Sequence, residues 1–250
     1  MTSDNIYANP RATIASFKFD DKVAAVFADM ISRSVPGYGL TLDMLGVIAS
    51  HYGKPNTQCY DLGCSLGAST LAMRHNVADN CKIIAIDNST AMVEKCQEFV
   101  THDSAKAAVD VRCEDICNVA LDNASLVAMN FTLQFIEAGK RADLLEKIYH
   151  GLNTGGAFIL SEKIIATGSG EQETLTNLHH DFKRAMGYSD LEIAQKRSAI
   201  ENVLIPSTIA SHKENLHAAG FSQVYLWFQC FNFVSLIAIK WFFSTTFTMT

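Results

Sequence analysis

Two periods of apolar residues alternate along the chain. Val23, Val26, Phe27, Met30 and Ile31 fall at helical spacing and predict a helix over Phe19 to Ser34, after an irregular stretch at 1–15. Pro36 and Gly37 break that period in the turn Ser34 to Gly39. A second helix follows from Leu40 to His51, and Gly53-Lys54-Pro55 closes it. Then short apolar runs take over, each with a polar residue at or near its end. One ends in Asp61, one spans Cys81 to Ser89 with Asp87 near its end, one spans Val109 to Ile116, and one spans Ala124 to Phe131. Near-continuous apolar runs of this length suit parallel strands buried on both faces. Helical patterns separate them at Thr70 to Val77, Ala91 to Val100 and Gly139 to Leu152. Asn153 to Gly156 reads as a turn into a fifth strand, Ala157 to Glu162. Residues 164–220 are polar and helical, with caps expected at Ser189 and Ser207, and are too long for a simple crossover. They predict a helical cover. Val224 to Gln229 and Phe233 to Lys240 predict two closing strands.

This alternation places Asp61, Asp87, Asp115 and Asn130 at the carboxyl edge of one parallel sheet, where open α/β folds bind ligands. Between the first strand and its helix lies Asp61-Leu62-Gly63-Cys64-Ser65-Leu66-Gly67-Ala68. Glycines let backbone approach a ligand closely, and free N–H groups at a helix start favour electron-rich groups. The stretch also matches G-x-S-x-G, the strained turn carrying a hydrolase nucleophile, and it fits an ordinary strand-to-helix turn. A hydrolase needs an oxyanion-hole segment such as HGGG, which is absent, and has no use for acids closing the next two strands. Asp87 lies a little over the roughly 20 residues from the loop at which a ribose-binding acid is expected. It could instead cap the next helix, a role for which Ser89 is equally suited. Tyr38 could stack on a ligand or stand as a surface aromatic.

Bulk composition narrows the partners. With 250 residues and 48% hydrophobic content, the chain suits one α/β domain with a sizeable core. A net charge of −6 leaves no basic surplus for a nucleic-acid backbone, so direct nucleic-acid binding is not expected. The most apolar segment, Phe231 to Phe247, contains Asn232 and Lys240 and reads as strand rather than membrane span. Seven cysteines without a C-x-x-C pair predict free thiols in a reducing, cytoplasmic setting, and no signal peptide is visible. Cys113 and Cys117 lack matching partners, and His179-His180-Asp181 cannot converge on one ion from adjacent helical positions, so no metal is expected.

Five segments taken together carry a resemblance. Asp61 to Ser65, Ile86 to Ser89, Glu114 to Ile116, Asn130 to Phe135 and Leu152 to Ala157 resemble class I S-adenosylmethionine (SAM) methyltransferases. Arg33 to Tyr38, Tyr60 to Gly67, His179 to Ala185, Gln195 to Ser198 and Leu226 to Phe233 resemble, within that superfamily, the carboxy-S-adenosyl-L-methionine synthase family. The resemblance covers about residues 17–240 and departs in the N-terminal arm and in the tail. It implies a Rossmann-like fold with a mostly parallel seven-stranded sheet, helices on both faces and helical covers. It implies one SAM-binding domain over 1–250, with an N-terminal cover at 1–52, a helical insertion at 164–220 and an atypical tail at 241–250. The implied enzyme converts SAM and prephenate to carboxy-SAM and phenylpyruvate. It is implied to be a homodimer whose product passes to a tRNA carboxymethyltransferase acting on wobble uridine. Prephenate loses carbon dioxide and hydroxide, and the sulfonium methyl, deprotonated to an ylide, captures the carbon dioxide. The implied SAM-binding residues are Tyr38, Gly63, Cys64, Ser65, Asp87, Asn88, Asp115, Ile116, Asn130 and Arg197. Asp87 would take the ribose hydroxyls, Asp115 the adenine amino group, and Arg197, also the catalytic assignment, the new carboxylate. Read without the resemblance, Arg197 forms a solvated pair with Glu201 four residues on. A true methyltransferase acting on a small molecule or tRNA, and a non-catalytic SAM-binding protein, are the rival readings.

Overall fold

The structure, a computed structural model, describes residues 2–241; the tail expected to be atypical lies, Trp241 apart, outside the described residues. Seven strands form one sheet: β1 (Gln58–Leu62), β2 (Lys82–Asp87), β3 (Val109–Cys113), β4 (Ala124–Asn130), β5 (Leu152–Lys163), β6 (Gln223–Cys230) and β7 (Phe233–Ile239). Their order is β3-β2-β1-β4-β5-β7-β6. The first five pair in parallel, and β7 runs antiparallel between β5 and β6. The fully apolar strands are explained by alternation. Leu62, Ile84, Ile86, Val127, Met129, Phe158 and Leu160 pack to one face, while Cys59, Ile83, Leu126, Ala128 and Ile159 pack to the other. Both faces are covered, so both sets are apolar.

Among the described residues eight helices surround the sheet: α1 (Asp21–Ser32), α2 (Tyr38–Tyr52), α3 (Ala68–Arg74), α4 (Thr90–His102), α5 (Ala138–Gly151), α6 (Ser169–Ala185), α7 (Asp190–Ile200) and α8 (Ile209–Ala218). Helix α1 starts later than its apolar spacing suggests, because the Asp20 carboxylate accepts the Val23 N–H at 3.1 Å and caps it there. Helix α3 ends at Arg74, and 75–77 form a turn. Helix α8 is capped by Thr208, not by Ser207. Ser207 bridges instead to Ile164, and its hydroxyl lies 3.3 Å from Arg141 Nη1. The stretch Asn153 to Gly156, read as a turn, belongs to β5, and the register shift between Ala124 and Leu126 absorbs it. Asp115 likewise lies beyond β3, in the turn that follows it.

The N-terminal arm is not loose packing. Tyr7 and Phe17 are buried in a cluster with Val23, Met30, Met92 and Ala199. Gln195 on α7 donates its side-chain amide to Tyr7 O and Asn9 O, both at 2.9 Å. Phe17 N–H donates to Ala199 O at 2.9 Å. The arm therefore ties α7 to the body of the molecule, over the carboxyl edge of the sheet.

Candidate functional site

A cavity of about 720 Å3 opens at that edge, under α1, α6 and α7. This volume suits a small molecule. Tyr38, Gly63, Cys64, Ser65, Asp87, Asn88, Asp115, Ile116, Asn130 and Arg197 all lie on its wall.

The glycine loop forms one end. Gly63 sits at φ +84°, and a Cβ there would lie 2.3 Å from Thr132 Oγ1, so only glycine fits. The loop's N–H groups are mostly engaged within the fold, contrary to the expectation that they face a ligand. Gly63 and Cys64 both donate to Ile86 O, at 2.8 and 2.9 Å, and Gly67 donates to Cys64 O at 2.8 Å. Ser65 N–H donates to Asp87 Oδ2 at 3.0 Å. What the loop offers the cavity is bare backbone and small side chains. The hydrolase reading fails here. Ser65 does sit at φ +49°, but its hydroxyl donates to Met92 Sδ at 3.4 Å. The cavity's buried His179 is engaged elsewhere, as described below.

Asp87 ends β2 and staples the loop. Its other oxygen, Oδ1, accepts the Ser89 N–H at 2.9 Å. It does not cap α4; Ser89 does, accepting from Met92 N–H at 3.3 Å. Burial raises the Asp87 pKa, and the N–H donors oppose this. Each carboxylate oxygen keeps lone pairs for a further donor. Asp61 stands behind the loop and is buried. Thr70 Oγ1 donates to its Oδ2 at 2.6 Å, while Oδ1 has no partner among the described residues. Burial, reinforced by the Asp87 charge, lifts its pKa to about 7. Asp115 is exposed in its turn and accepts the Cys117 N–H at 2.9 Å. Asn130 presents backbone more than amide. Its Nδ2 donates to Ser69 Oγ at 2.7 Å, and its Oδ1 accepts from Ser161 Oγ at 2.7 Å.

The rest of the lining is largely aromatic and cationic. Tyr38 begins α2, and its ring centroid lies 6.3 Å from that of Phe131, which lies 6.1 Å from that of Phe233. Burial raises the Tyr38 pKa, so its hydroxyl stays protonated. Arg197 is exposed on α7, and among the described residues it forms no ion pair with Glu201. Beside it lie Lys163 at the end of β5, Lys183 on α6 and Lys196 on α7. Lys196 Nζ donates to Ser34 Oγ at 3.0 Å and lies 3.8 Å from the buried Asp4 carboxylate. Burial, then its cationic neighbours, brings Lys183 down to about 7; burial brings Lys196 down to about 8. Residue patterns did not reveal this wall. The one signal for Lys183 is that no acid stands three or four residues away from it on α6.

His179 packs into the cavity wall. Its ring lies 4.9 Å from that of Phe233, and Nε2 is 2.8 Å from Ser34 O, which assigns the proton to Nε2. Burial, then Lys163, lowers its pKa to about 3. The folded value lies below the unfolded one near 6.5, so the unfolded chain binds the proton first. Stability is complete above pH 6.5 and is lost as pH falls from there towards 3. The expected cost by pH 5 is about 2 kcal/mol. Thermal melts of wild type and His179→Gln between pH 7 and 5 should show a shallower acid decline in the variant. Parallel declines would refute this assignment.

Among the described residues no group of three or more His, Cys, Asp or Glu could hold a metal ion, and no helix is long and apolar enough to cross a membrane. A methyltransferase-domain family matches residues 60–156. The chain is 54% identical over 245 residues to the carboxy-S-adenosyl-L-methionine synthase of Hahella chejuensis, covering 96% of this chain and 99% of that one. It is 55% identical over 240 residues to the enzyme of that name from Trichlorobacter lovleyi, covering 95% and 98%. Among solved structures, an S-adenosyl-L-methionine-dependent methyltransferase from Methanococcus maripaludis shares the fold. Its TM-score is 0.62, with 20% identity, over 93% of this chain and 98% of that one.

Proposed function

The chain belongs to the carboxy-S-adenosyl-L-methionine synthase family, and we propose that it makes carboxy-SAM from SAM with prephenate as the carboxyl donor. The observation that carries this reading is the cavity's mixed lining. It joins an acid-edged glycine loop suited to a nucleoside with lysine and arginine side chains suited to carboxylates. A plain methyl transfer gains nothing from lysines and an arginine near an already positive sulfonium.

In the proposed site Asp87 holds the ribose hydroxyls, Asp115 the adenine amino group, and Tyr38, Gly63 to Ser65, Asn88, Ile116 and Asn130 frame SAM. Arg197 holds the new carboxylate. Prephenate releases carbon dioxide and hydroxide as its ring becomes aromatic, leaving phenylpyruvate. The hydroxide takes a proton from the sulfonium methyl and leaves as water. The resulting ylide carbon bonds to carbon dioxide. Charge balances, since a cation and a dianion give neutral carboxy-SAM, the phenylpyruvate anion and water. The chain's own part is to hold both partners and exclude bulk water.

On the same reading the enzyme is a cytoplasmic homodimer, one domain over its length, and its product serves a carboxymethyltransferase that modifies tRNA wobble uridine. Mass analysis after incubation with SAM and prephenate tests the core of it. The SAM product is expected to gain one carboxylate while phenylpyruvate accumulates. A methylated acceptor and S-adenosylhomocysteine instead would favour the methyltransferase reading.

A further inference from the structure

Lys163 and Lys183 are the cavity's unexplained charges. A buried ammonium group is expensive unless it is paired. Lys196 has Asp4 and Ser34 beside it. Asp4 is already shared, accepting from Tyr188 Oη. Among the described residues neither Lys163 nor Lys183 forms an ion pair, although Lys183 is only 8% exposed. Both line the same cavity as Arg197, Phe131 and Phe233, and Lys163 pairs with Phe233 across the β5–β7 ladder. Three separate elements, β5, α6 and α7, bring like charges together there. Such an arrangement lowers stability unless an anion balances it.

We propose that Lys163 and Lys183 form a second carboxylate site, separate from Arg197, holding the carboxylate that the carboxyl donor keeps, with the donor's ring against Phe131 and Phe233. This rests on the proposed function. The donor brings two carboxylates and surrenders one. Arg197 takes the carboxylate that ends up on carboxy-SAM, and a planar fork suits a group that must be aimed. The retained carboxylate must leave with phenylpyruvate, and two point charges hold it without fixing its plane. Burial, then the charges of Lys196 and Lys163, lowers the Lys183 pKa, and an anion beside the ammonium groups offsets the charge part of that cost.

The test uses the full chain as wild type, Lys183→Met, Lys183→Arg and Lys163→Met. The measurements are KM for prephenate, calorimetric Kd for phenylpyruvate on SAM-loaded protein, Kd for SAM, and Tm. Lys183→Met and Lys163→Met should each weaken prephenate and phenylpyruvate together by about tenfold or more, and SAM by no more than about twofold. Lys183→Arg should retain most of the affinity. Lys183→Met should melt no lower than wild type, since it removes an unpaired buried charge. If Lys183→Met fails to fold, Lys163→Met and Lys183→Arg still decide the matter. Unchanged phenylpyruvate affinity in a folded methionine variant overturns the site, and so does an equal loss for SAM. If wild type forms no carboxy-SAM from prephenate yet phenylpyruvate binding depends on both lysines, the donor assignment falls and the carboxylate site stands. If wild type forms carboxy-SAM and the lysine variants bind phenylpyruvate normally, only the site falls.

Discussion

Arg197→Ala is expected to weaken carboxy-SAM binding about tenfold to a hundredfold while leaving SAM nearly unchanged. The two ligands differ by one carboxylate beside the sulfur. A charge-assisted hydrogen bond contributes about 1.5–3 kcal/mol, and each 1.4 kcal/mol is a factor of ten in affinity. The larger loss expected of a fully buried pair does not apply, because Arg197 is exposed on α7 and water moderates the interaction. Among the described residues Arg197 forms no ion pair, and Asp4 is held by Lys196 and Tyr188. Arg197→Lys should recover only part of the loss, since a point charge cannot copy two parallel hydrogen bonds. Calorimetric titration of both ligands against wild type and both variants decides it. Equal losses for SAM and carboxy-SAM would make Arg197 a structural residue.

The contrast between Arg197 and Asp87 shows what local pattern reveals. Strands β2 and β4 were legible because their buried positions are almost all apolar, and a polar residue marks the less buried end of each. That logic finds Asp87 and Asn130. It overruns at β3, where Asp115 belongs to the following turn. The cationic wall obeys no such rule. Arg197 reads as one half of an i,i+4 pair, and only the family resemblance pointed to a ligand. It reaches the cavity because Gln195 anchors α7 to the N-terminal arm across 188 residues of chain, through Tyr7 O. Lys163, Lys183 and Arg197 come to one cavity only after β5, α6 and α7 have packed, so the gathering of like charges there is a property of the fold. The arm reads as irregular for the same reason. Tyr7 and Phe17 follow no helix or strand period, and α1 and α7 give them a surface.

Asp87→Ala is expected to reduce SAM affinity by tenfold or more, through two losses that can be separated. The first is the direct one: ribose hydroxyls lose a charged acceptor worth about 1.5–3 kcal/mol. The second is particular to this loop. The same carboxylate accepts Ser65 N–H at 3.0 Å and Ser89 N–H at 2.9 Å, so alanine leaves both donors unmatched beside the cavity. Ser65 already sits at φ +49°, a conformation that its neighbours must hold in place. Freed from Asp87, it can relax, and the loop then presents a different surface to the nucleoside. Asp87→Asn separates the two effects. Its amide oxygen can keep one backbone donor, while its NH2 must face the other N–H or turn to the ribose. If ribose binding alone matters, Asn should recover much of the affinity, because an amide still pairs with hydroxyls. If the staple matters as well, Asn should behave nearly as badly as Ala, because two N–H groups cannot pair with one another. The staple predicts the second result. It also predicts faster amide exchange at Ser65 in both variants without ligand, while exchange in the core strands β1 and β4 stays as in wild type. Unchanged SAM affinity in a folded Asp87→Ala protein would refute the ribose assignment. Full recovery in Asp87→Asn would leave that assignment standing and remove the staple.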